Sequence, residues 1–415
     1  MTGTVHVIGA GLAGLAAAVT LARAGRRVAL HEAAPQAGGR CRSYHDATLG
    51  LTIDNGNHLL LSANRAALGF LEMIGARDAL IGPDEAAFPF LDLRSGERWT
   101  LRLNDGPLPW WIFSRKRRVP GTRASDYAAP LGILLSRRDR PIGEVMACAG
   151  PLYDRLWGPV LLAGLNIDPA EGSTRLAAAM IRESMAAGGR MCRPLVARQG
   201  LSHAFVDPAL ATLQRAGAGI SFGRRLRALN FGADRVTALQ FMSEIQPLGP
   251  QDQVVLAVPP GPAAEILPGL TVPERHCPIL NLHYKVAPPP GMPPFIGLVG
   301  GTAEWVFGYP DRLSVTISGA DRLMEEGRQA LAEKVWAELQ FALGLTMPLP
   351  LWQVVKEKRA TFAATPAENA RRPEAKTAWR NLALAGDWTA TGLPATIEGA
   401  IRSGNRAAAL VLAGG

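Results

Sequence analysis

Apolar runs divide the start of the chain into a strand, a helix and a second strand. Residues 5–8 predict a strand, an alanine-rich helix follows, and residues 28–30 predict the next strand. Gly25 marks the end of the helix between them. A strand–helix–strand order with short connections is typical of a βαβ unit with parallel strands, so the chain is predicted to begin as an α/β fold.

Three glycines join the first strand to the helix in the pattern G-x-G-x-x-G. Gly9 permits a tight turn, Gly11 lets the backbone approach a pyrophosphate, and Gly14 lets the helix pack closely on the sheet. Glu32 follows the second strand, where a carboxylate holds ribose hydroxyls and favours FAD or NAD over NADP. The segment predicts a dinucleotide site. The alternatives are a structural glycine turn and, for Glu32, an exposed strand-end charge.

A second ligand-facing pattern lies near the C-terminus. Residues 382–385 predict a strand, Gly386 turns the chain, and Asp387 stands at the carboxyl end of the strand, where open α/β sheets bind ligands. A helix is predicted from about Thr396 to residue 410, with its free N–H groups facing the same crevice. Taken alone, this pattern is equally compatible with a strand–turn–helix that has a capping aspartate.

The remaining strand and helix patterns indicate two interleaved domains. In the middle of the chain, residues 205–216 predict a helix, and residues 219–222 and 254–258 predict strands. We expect a nucleotide-binding domain from residues 1–70, 197–262 and 356–415, and an inserted substrate-binding, membrane-facing domain from residues 71–196 and 263–355.

Composition and charge exclude several classes of protein. With 48% hydrophobic and 19% charged residues, the chain is globular rather than disordered. The four cysteines are scattered without a CxxC pair, which argues against a zinc site or a disulfide scaffold, so no metal is expected. The net charge of +9 has no nucleic-acid-binding motif beside it, so we expect no nucleic-acid partner. No uncharged apolar stretch is long enough to cross a bilayer.

One segment suggests a different partner for the positive charge. Residues 109–118 read PWWIFSRKRR, in which Trp110 and Trp111 are followed by Arg115, Lys116, Arg117 and Arg118. Tryptophan favours the bilayer interface, and basic side chains attract anionic headgroups. We expect a cytoplasmic protein that is peripheral on the inner face of a bacterial inner membrane. An interior aromatic cluster beside a solvated basic loop is the main alternative, and a nucleic-acid patch is another.

Together, the two glycine-rich regions resemble the flavin-dependent superfamily of amine oxidases and carotenoid desaturases. The resemblance rests on GAGLAGLAAA, Glu32, GGR at 38–40 and the C-terminal LAGD and EGA. It implies a Rossmann-like FAD-binding domain of the amine oxidase and desaturase type with an inserted mixed α+β substrate domain. It also implies that a strand at 220–226 contacts adenine. The residues implied to bind FAD are Gly9, Gly11, Leu12, Ala13, Gly14, Glu32, Gly39, Arg40, Asn57, Leu226, Gly386, Asp387, Thr396 and Ile397.

Four blocks narrow this resemblance to one branch. DNGNHLLLSA at 54–63, LWGPVLLAGLN at 156–166, VVKEKRATFAATP at 354–366 and GDWTATGLPATIEGA at 386–400 are similar to the hydroxysqualene dehydroxylases of bacterial hopanoid pathways. The resemblance implies an FAD-dependent oxidoreductase that removes the allylic hydroxyl of a hydrophobic isoprenoid, hydroxysqualene, and gives squalene. Hydride would pass from reduced flavin to an allylic cation. Thr396 stands where amine oxidases carry an aromatic residue, which argues against amine oxidation.

The implied reaction needs a group that protonates the departing hydroxyl. An apolar pocket raises a carboxyl pKa and so favours such an acid near neutral pH. The candidates are His58, Asp54, Glu357 and Glu398. Each has a structural alternative: a core histidine for His58, a loop anchor for Asp54, a solvated charge for Glu357 and a helix cap for Glu398.

The source of the electrons is not evident in the sequence. No second G-x-G-x-x-G follows the first, so we expect an external electron donor, or an enzyme that works as an oxidase. Two rival functions share the same motifs: an FAD-dependent carotenoid or polyene desaturase or oxidase, and a non-catalytic prenyl-chain carrier on the same fold. The sequence also leaves open whether a product would feed hopanoids or carotenoids.

Overall fold

Five parallel strands form the sheet on which the glycine-rich turn is mounted. The structure is a computed structural model that describes residues 3–414, so residues 1, 2 and 415 of the expected first domain lie outside the described residues. The strands come from three separate parts of the sequence, with Val7 beside Val255 and Leu256 beside Leu384. In spatial order they are Gly219–Ser221, Arg27–His31, Thr4–Ile8, Gln253–Leu256 and Leu382–Leu384.

Small residues let two helices approach closely over this sheet. The first helix, Leu12–Arg23, packs against the C-terminal helix, Ile397–Ala413. At their contact a Cβ atom on Gly404 would lie 2.2 Å from the carbonyl oxygen of Ala13 and 3.0 Å from the Cβ of Ala16. Glycine and alanine at the contact therefore allow the two glycine-rich regions to share one edge of the sheet.

Most predicted elements of this region agree with the structure to within a few residues. The expected helix at 205–216 begins as a π-helical turn, Ser202–Val206, and continues as the α-helix Asp207–Arg215. The single strand predicted at 220–226 is wrong. The parallel strand ends at Ser221, the chain turns at Gly223 with a positive φ of 68°, and Leu226 begins a separate sheet.

A mixed seven-stranded sheet forms the second large layer. Phe295–Val299 runs parallel to Ala87–Asp92, and the other neighbours are antiparallel. The strands in spatial order are Trp352–Phe362, His276–Tyr284, Arg312–Ile317, Trp305–Tyr309, Phe295–Val299, Ala87–Asp92 and Arg98–Arg102. The expected domain boundary at residue 356 falls inside the first of these strands, so we propose that the inserted domain continues to the end of that strand.

The two faces of this sheet are covered differently. Arg328–Leu343 packs on one face, where Val335 and Leu339 share a hydrophobic core with Leu282 and Val315. The other face presents aromatic side chains that join a core with residues from the helical part of the inserted segment. Alternation along the strands separates these two sets of side chains.

Smaller sheets and helices complete the described part of the chain. Leu226–Phe231, Val236–Phe241 and Ile245–Pro247 form one antiparallel sheet, Ser43–Asp46 and Leu51–Asp54 form a hairpin, and Leu59–Leu61, Pro194–Ala197 and Leu80–Ile81 form another sheet. The other α-helices are Arg65–Met73, Leu131–Leu135, Gly158–Leu165, Thr174–Glu183, Pro260–Ile266 and Pro366–Ala370, and Tyr153–Trp157 is a second π-helical turn. The 3-10 turns are Gly39–Cys41, Arg77–Ala79, Trp110–Phe113, Ala124–Ala128, Ile142–Glu144, Pro169–Glu171, Met185–Ala187, Gly189–Met191 and Ala320–Leu323. Within residues 3–414, no helix has both the length and the apolar composition of a membrane span.

Candidate active site

The turn after the first strand has the geometry of a phosphate cradle. Gly9 has a φ of 105°, and a Cβ there would lie 2.5 Å from the carbonyl oxygen of Ala257. A Cβ on Gly14 would lie 1.9 Å from the carbonyl oxygen of Gly9. At Gly11, by contrast, no atom lies within 4 Å of the same position. The first and third glycines are thus required by packing, and the second leaves open space beside the backbone.

A second glycine turn closes the cradle from the opposite side. Gly38 donates its N–H to the carbonyl oxygen of Ala10 at 2.8 Å and forms a bridge with Gly11. A Cβ on Gly39 would lie only 3.3 Å from the Cα of Gly11. The two backbones therefore approach each other at the N-terminus of the first helix, where Leu12 and Ala13 begin the first turn.

Glu32 fastens this cradle to the second strand. Its carboxylate accepts hydrogen bonds from the N–H of Ala10 at 2.6 Å and the N–H of Ala34 at 2.8 Å. Each carboxylate oxygen can accept more than one hydrogen bond, so these contacts leave acceptor capacity for ribose hydroxyls.

An ion pair joins the GGR turn to the C-terminal motif. The Arg40 guanidinium donates to the Asp387 carboxylate at 2.5 Å and to the carbonyl oxygen of Ala360 at 2.6 Å. The N–H of Gly386 donates to the Ser403 hydroxyl at 2.8 Å, which holds this turn against the C-terminal helix. Three segments that are distant in the sequence thereby meet at one edge of the parallel sheet.

The C-terminal helix points its N-terminus into the same region. Thr396 is its N-cap, and the Thr396 hydroxyl accepts the N–H of Gly399 at 3.0 Å. Ile397 is buried in the first turn. This cap satisfies one of the free N–H groups of the helix and leaves the others available to a ligand.

Leu226 and Asn57, two further predicted cofactor residues, have partners within the protein. Leu226 starts the three-stranded sheet opposite Phe241 and is buried. The Asn57 amide donates to the Thr316 hydroxyl at 3.1 Å and accepts the Tyr309 hydroxyl at 3.3 Å. Asn57 thus lies in a buried polar cluster on the seven-stranded sheet.

Asp54 is a fully buried carboxylate with an incomplete set of partners. Its Oδ1 accepts the Ser43 hydroxyl at 2.6 Å and the N–H of Leu201 at 2.8 Å, and its Oδ2 is 3.9 Å from the Arg312 guanidinium. Burial raises the pKa of Asp54, although these hydrogen bonds and Arg312 oppose the rise. The side chain therefore joins the loop at residues 199–202 to the hairpin.

Glu357 and His58 are the two remaining candidates for the acid. The Asn55 amide donates to the Glu357 carboxylate at 3.0 Å, and Glu357 lines a surface cleft of about 270 Å³. Burial, together with the positive charge of Arg40, lowers the pKa of His58 to about 4. The imidazole is therefore neutral near pH 7, which favours a hydrogen-bonding role for His58 over its predicted use as the acid.

Glu398 caps a helix, but not its own. Its carboxylate accepts the N–H groups of Ala66 and Ala67 at 3.1 and 2.8 Å, at the start of the helix Arg65–Met73. Arg402 donates to the same carboxylate at 2.8 Å. Glu398 is buried and fully engaged with protein groups, so we propose a structural role for it instead of the predicted catalytic one.

Known proteins are similar to this chain over almost its entire length. The family model described as flavin containing amine oxidoreductase matches residues 12–412. The chain is 57% identical to a hydroxysqualene dehydroxylase of Rhodopseudomonas palustris over all of both chains, and 50% identical to one of Sinorhizobium fredii over 99% of both. The chain belongs to the hydroxysqualene dehydroxylase family. It is an FAD-dependent oxidoreductase within the flavin containing amine oxidoreductases.

Solved structures agree on the fold. Cyclohexylamine oxidase from Brevibacterium oxydans superposes with a TM-score of 0.71 at 15% identity, over 99% of both chains. Putrescine oxidase bound to putrescine superposes with a TM-score of 0.69 at 17% identity, over 100% of this chain and 99% of that one. The open space at Gly11 and the paired glycine turns fit the dinucleotide that this fold holds.

Arg372 is a site residue that sequence reasoning missed. It is buried, and its guanidinium donates to the Asp387 carbonyl oxygen at 3.0 Å and to the Thr391 hydroxyl at 2.7 Å. Burial lowers the pKa of Arg372 to about 10, against the opposing effect of Asp387. No local pattern around Arg372 signalled this role, because its partners lie 15 and 19 residues further along the chain.

Proposed function

We propose that this chain reductively removes the allylic hydroxyl of hydroxysqualene and yields squalene. The observation that carries the proposal is the 57% identity to a hydroxysqualene dehydroxylase over the entire length of both chains. Thr396 supports it, since this threonine stands where the superfamily's amine oxidases carry an aromatic side chain. The net reaction adds one hydride and one proton to the alcohol and releases water.

We propose that the two glycine turns and the C-terminal motif hold FAD, which supplies the hydride when bound and reduced. Gly9, Gly11 and Gly14 would admit the pyrophosphate, and Glu32 would accept hydrogen bonds from the ribose hydroxyls. Arg40 would contact the pyrophosphate, and Asp387 would contact the ribityl–phosphate region. The N-terminus of the C-terminal helix, at Thr396 and Ile397, would offer its free N–H groups to the flavin and favour negative charge there.

For the proton, we propose Glu357 as donor and His58 as a neutral hydrogen-bonding partner of the hydroxyl. Glu357 is half-buried, lines the cleft and is oriented by Asn55. Asp54 and Glu398 have no comparable access, because both are buried and engaged with protein groups. The pKa of about 4 at His58 supports a neutral imidazole, which can accept or donate one hydrogen bond to the alcohol.

We further propose that the chain meets the cytoplasmic face of the membrane through Trp110 and the basic residues 115–118. A C30 isoprenoid partitions into lipid, so an enzyme that uses one benefits from docking there. The exposure of Trp110 supports this docking. Trp111 is buried, which corrects its predicted place on the docking surface.

We also propose that the product enters hopanoid precursor synthesis and that an external donor supplies the electrons.

Anaerobic product analysis tests the reaction. Flavin-loaded protein is reduced without oxygen and mixed with hydroxysqualene. Squalene should form in a one-to-one ratio with flavin reoxidation, which absorbance at the flavin band reports. Absence of squalene while the flavin stays reduced would refute the proposal, provided that the same sample is folded and flavin-loaded.

A further inference from the structure

Exposed apolar side chains are concentrated in one part of the inserted domain. Of the fourteen large apolar side chains exposed in the described residues, five fall between residues 108 and 135, each 50–74% exposed. They are Leu108, Trp110, Phe113, Leu131 and Leu135. Single exposed apolar side chains are common on protein surfaces, whereas several of them close together indicate an interaction surface.

These five side chains belong to two short elements. Leu108, Trp110 and Phe113 lie in or beside the 3-10 turn Trp110–Phe113, with the two aromatic rings 6.2 Å apart. Leu131 and Leu135 begin and end the helix Leu131–Leu135, so they lie one turn apart on the same side. Ile133, on the other side of that helix, is buried in the core and fixes its orientation.

A buried tryptophan and a partly buried tyrosine hold the two elements together. Trp111 packs edge-on against Tyr127 with their rings 5.0 Å apart, and the Tyr127 hydroxyl accepts the N–H of Val119 at 2.9 Å. Tyr127 lies in the 3-10 turn Ala124–Ala128, which leads directly into the helix Leu131–Leu135. Trp111 therefore acts as an anchor beneath the surface, while its neighbour Trp110 points outward.

The charge around these elements is strongly one-sided. Residues 108–140 contain eight arginines and lysines but only two aspartates, so most of the chain's net charge of +9 lies here. None of these eight cations is in an ion pair within residues 3–414. The Asp139 carboxylate is occupied by Ser173 and Asn369.

We infer that Leu108, Trp110, Phe113, Leu131 and Leu135 form a single two-element surface that inserts into an anionic bilayer. The cations flanking it face lipid phosphates, and the Trp111–Tyr127 pair fixes the spacing of the two elements. A second copy of the chain is a poorer occupant, since a two-fold contact through this surface would place the two sets of unpaired cations against each other. The inference deepens the proposed membrane association by adding the helix Leu131–Leu135, and it rests on that part of the proposed function.

Vesicle partitioning of the flavin-loaded full chain tests the added element. The variants are Leu131→Ser with Leu135→Ser, and, as a matched control, Met242→Ser with Ile245→Ser. Met242 and Ile245 are exposed, Met242 after the strand Val236–Phe241 and Ile245 at the start of the strand Ile245–Pro247. On vesicles containing phosphatidylglycerol, we expect the first pair to weaken partitioning about tenfold or more and the control to leave it unchanged. Wild-type partitioning should also fall on neutral phosphatidylcholine vesicles. Equal partitioning of wild type and the Leu131, Leu135 variant would overturn the inference.

A second measurement does not depend on affinity. Leu135→Cys in a Cys148→Ser background carries a polarity-sensitive dye, because the other three cysteines are buried. The emission should shift to the blue on anionic vesicles, and an unchanged spectrum on vesicle-bound protein would place Leu135 outside the bilayer. If the surface instead joined two copies, sedimentation would show a dimer that the Leu131, Leu135 variant dissociates, which would also overturn the inference.

Turnover in detergent micelles separates this inference from the reaction. The Leu131, Leu135 variant should convert micellar hydroxysqualene at the wild-type rate while losing activity on vesicle-embedded substrate. If the wild-type protein formed no squalene in micelles, the dehydroxylase proposal would be refuted. The membrane inference would stand, because vesicle partitioning is measured without substrate.

Discussion

Arg40 and Asp387 form an ion pair of 2.5 Å although 347 positions separate them in the chain. The Asp387 side chain is almost completely buried, whereas that of Arg40 is 43% exposed. This pair connects the GGR turn to the C-terminal motif, so the two halves of the proposed FAD site depend on each other for position.

Asp387→Asn should weaken FAD retention by about tenfold, because a charge-assisted hydrogen bond becomes a neutral one. The measurement is FAD content after dialysis, followed by titration of the apoprotein with FAD. Asp234→Asn removes an exposed ion pair with Arg380 and is the control that should retain FAD. Equal retention by both variants would contradict the assignment of Asp387.

Gly404→Ala should destabilise the protein by about 1–3 kcal/mol, because the new methyl group would meet the backbone of the first helix. Denaturant unfolding measures the change. Gly69→Ala is the matched control: Gly69 lies in the helix Arg65–Met73, and no atom lies within 4 Å of the added Cβ. That control should be neutral or slightly stabilising, since alanine favours helix over glycine.

Glu398→Gln should destabilise the fold by about 2–4 kcal/mol, because it removes a buried charge that pairs with Arg402 and two backbone N–H groups. Turnover per bound FAD should stay near the wild-type value, as a structural role requires. A variant of normal stability with turnover reduced a hundredfold would return Glu398 to the catalytic candidates.

Glu357→Gln should lower turnover by about a hundredfold or more, as expected for loss of a general acid, with FAD content unchanged. His58→Ala should lower turnover less, because the proposed role of His58 is hydrogen bonding. Glu325→Gln removes an exposed carboxylate outside the cleft and is the control. Single-turnover reoxidation of reduced enzyme by hydroxysqualene is the measurement, and a larger loss at His58 than at Glu357 would reverse the two roles.

Stability should fall in mild acid because of His283. Burial, with the charge of Arg312, lowers its pKa from 6.5 to about 3, so the unfolded chain binds a proton that the folded chain excludes. The contribution of His283 is complete above pH 6.5 and is lost at about 1.4 kcal/mol per pH unit as the pH falls towards 3. His283→Asn should flatten the fall in unfolding free energy between pH 7 and about pH 5, whereas His45→Asn, at an exposed position, should not. Equal slopes would contradict this account.

The local units of the proposed FAD site were predictable from the sequence because each is made by neighbouring residues. Gly9, Gly11 and Gly14 lie within one turn, and Thr396 caps its own helix. The predicted strands in these regions agree with the structure to within a few residues. Strands that are buried on both faces need continuous apolar runs, and such runs can be recognised in the sequence.

Roles that depend on distant partners could not be read from the sequence. Glu398 was a candidate for the proton donor, but its carboxylate accepts hydrogen bonds from the N–H groups of Ala66 and Ala67, more than 300 positions away. The strand expected at 220–226 was wrong because Gly223 turns the chain between two different sheets. Arg372 gave no signal at all.

The sequence alone determined the family, the FAD-binding type of fold and the positions of its glycine turns. Backbone conformation and the packing of adjacent residues impose those features locally. Such local constraints appear in the sequence as particular residue types at fixed spacings. Only the tertiary structure decided that Trp110 faces outward and Trp111 inward. Two adjacent residues of the same type have equal apolar character, so their exposure is set by what the rest of the chain places beneath them, here Tyr127.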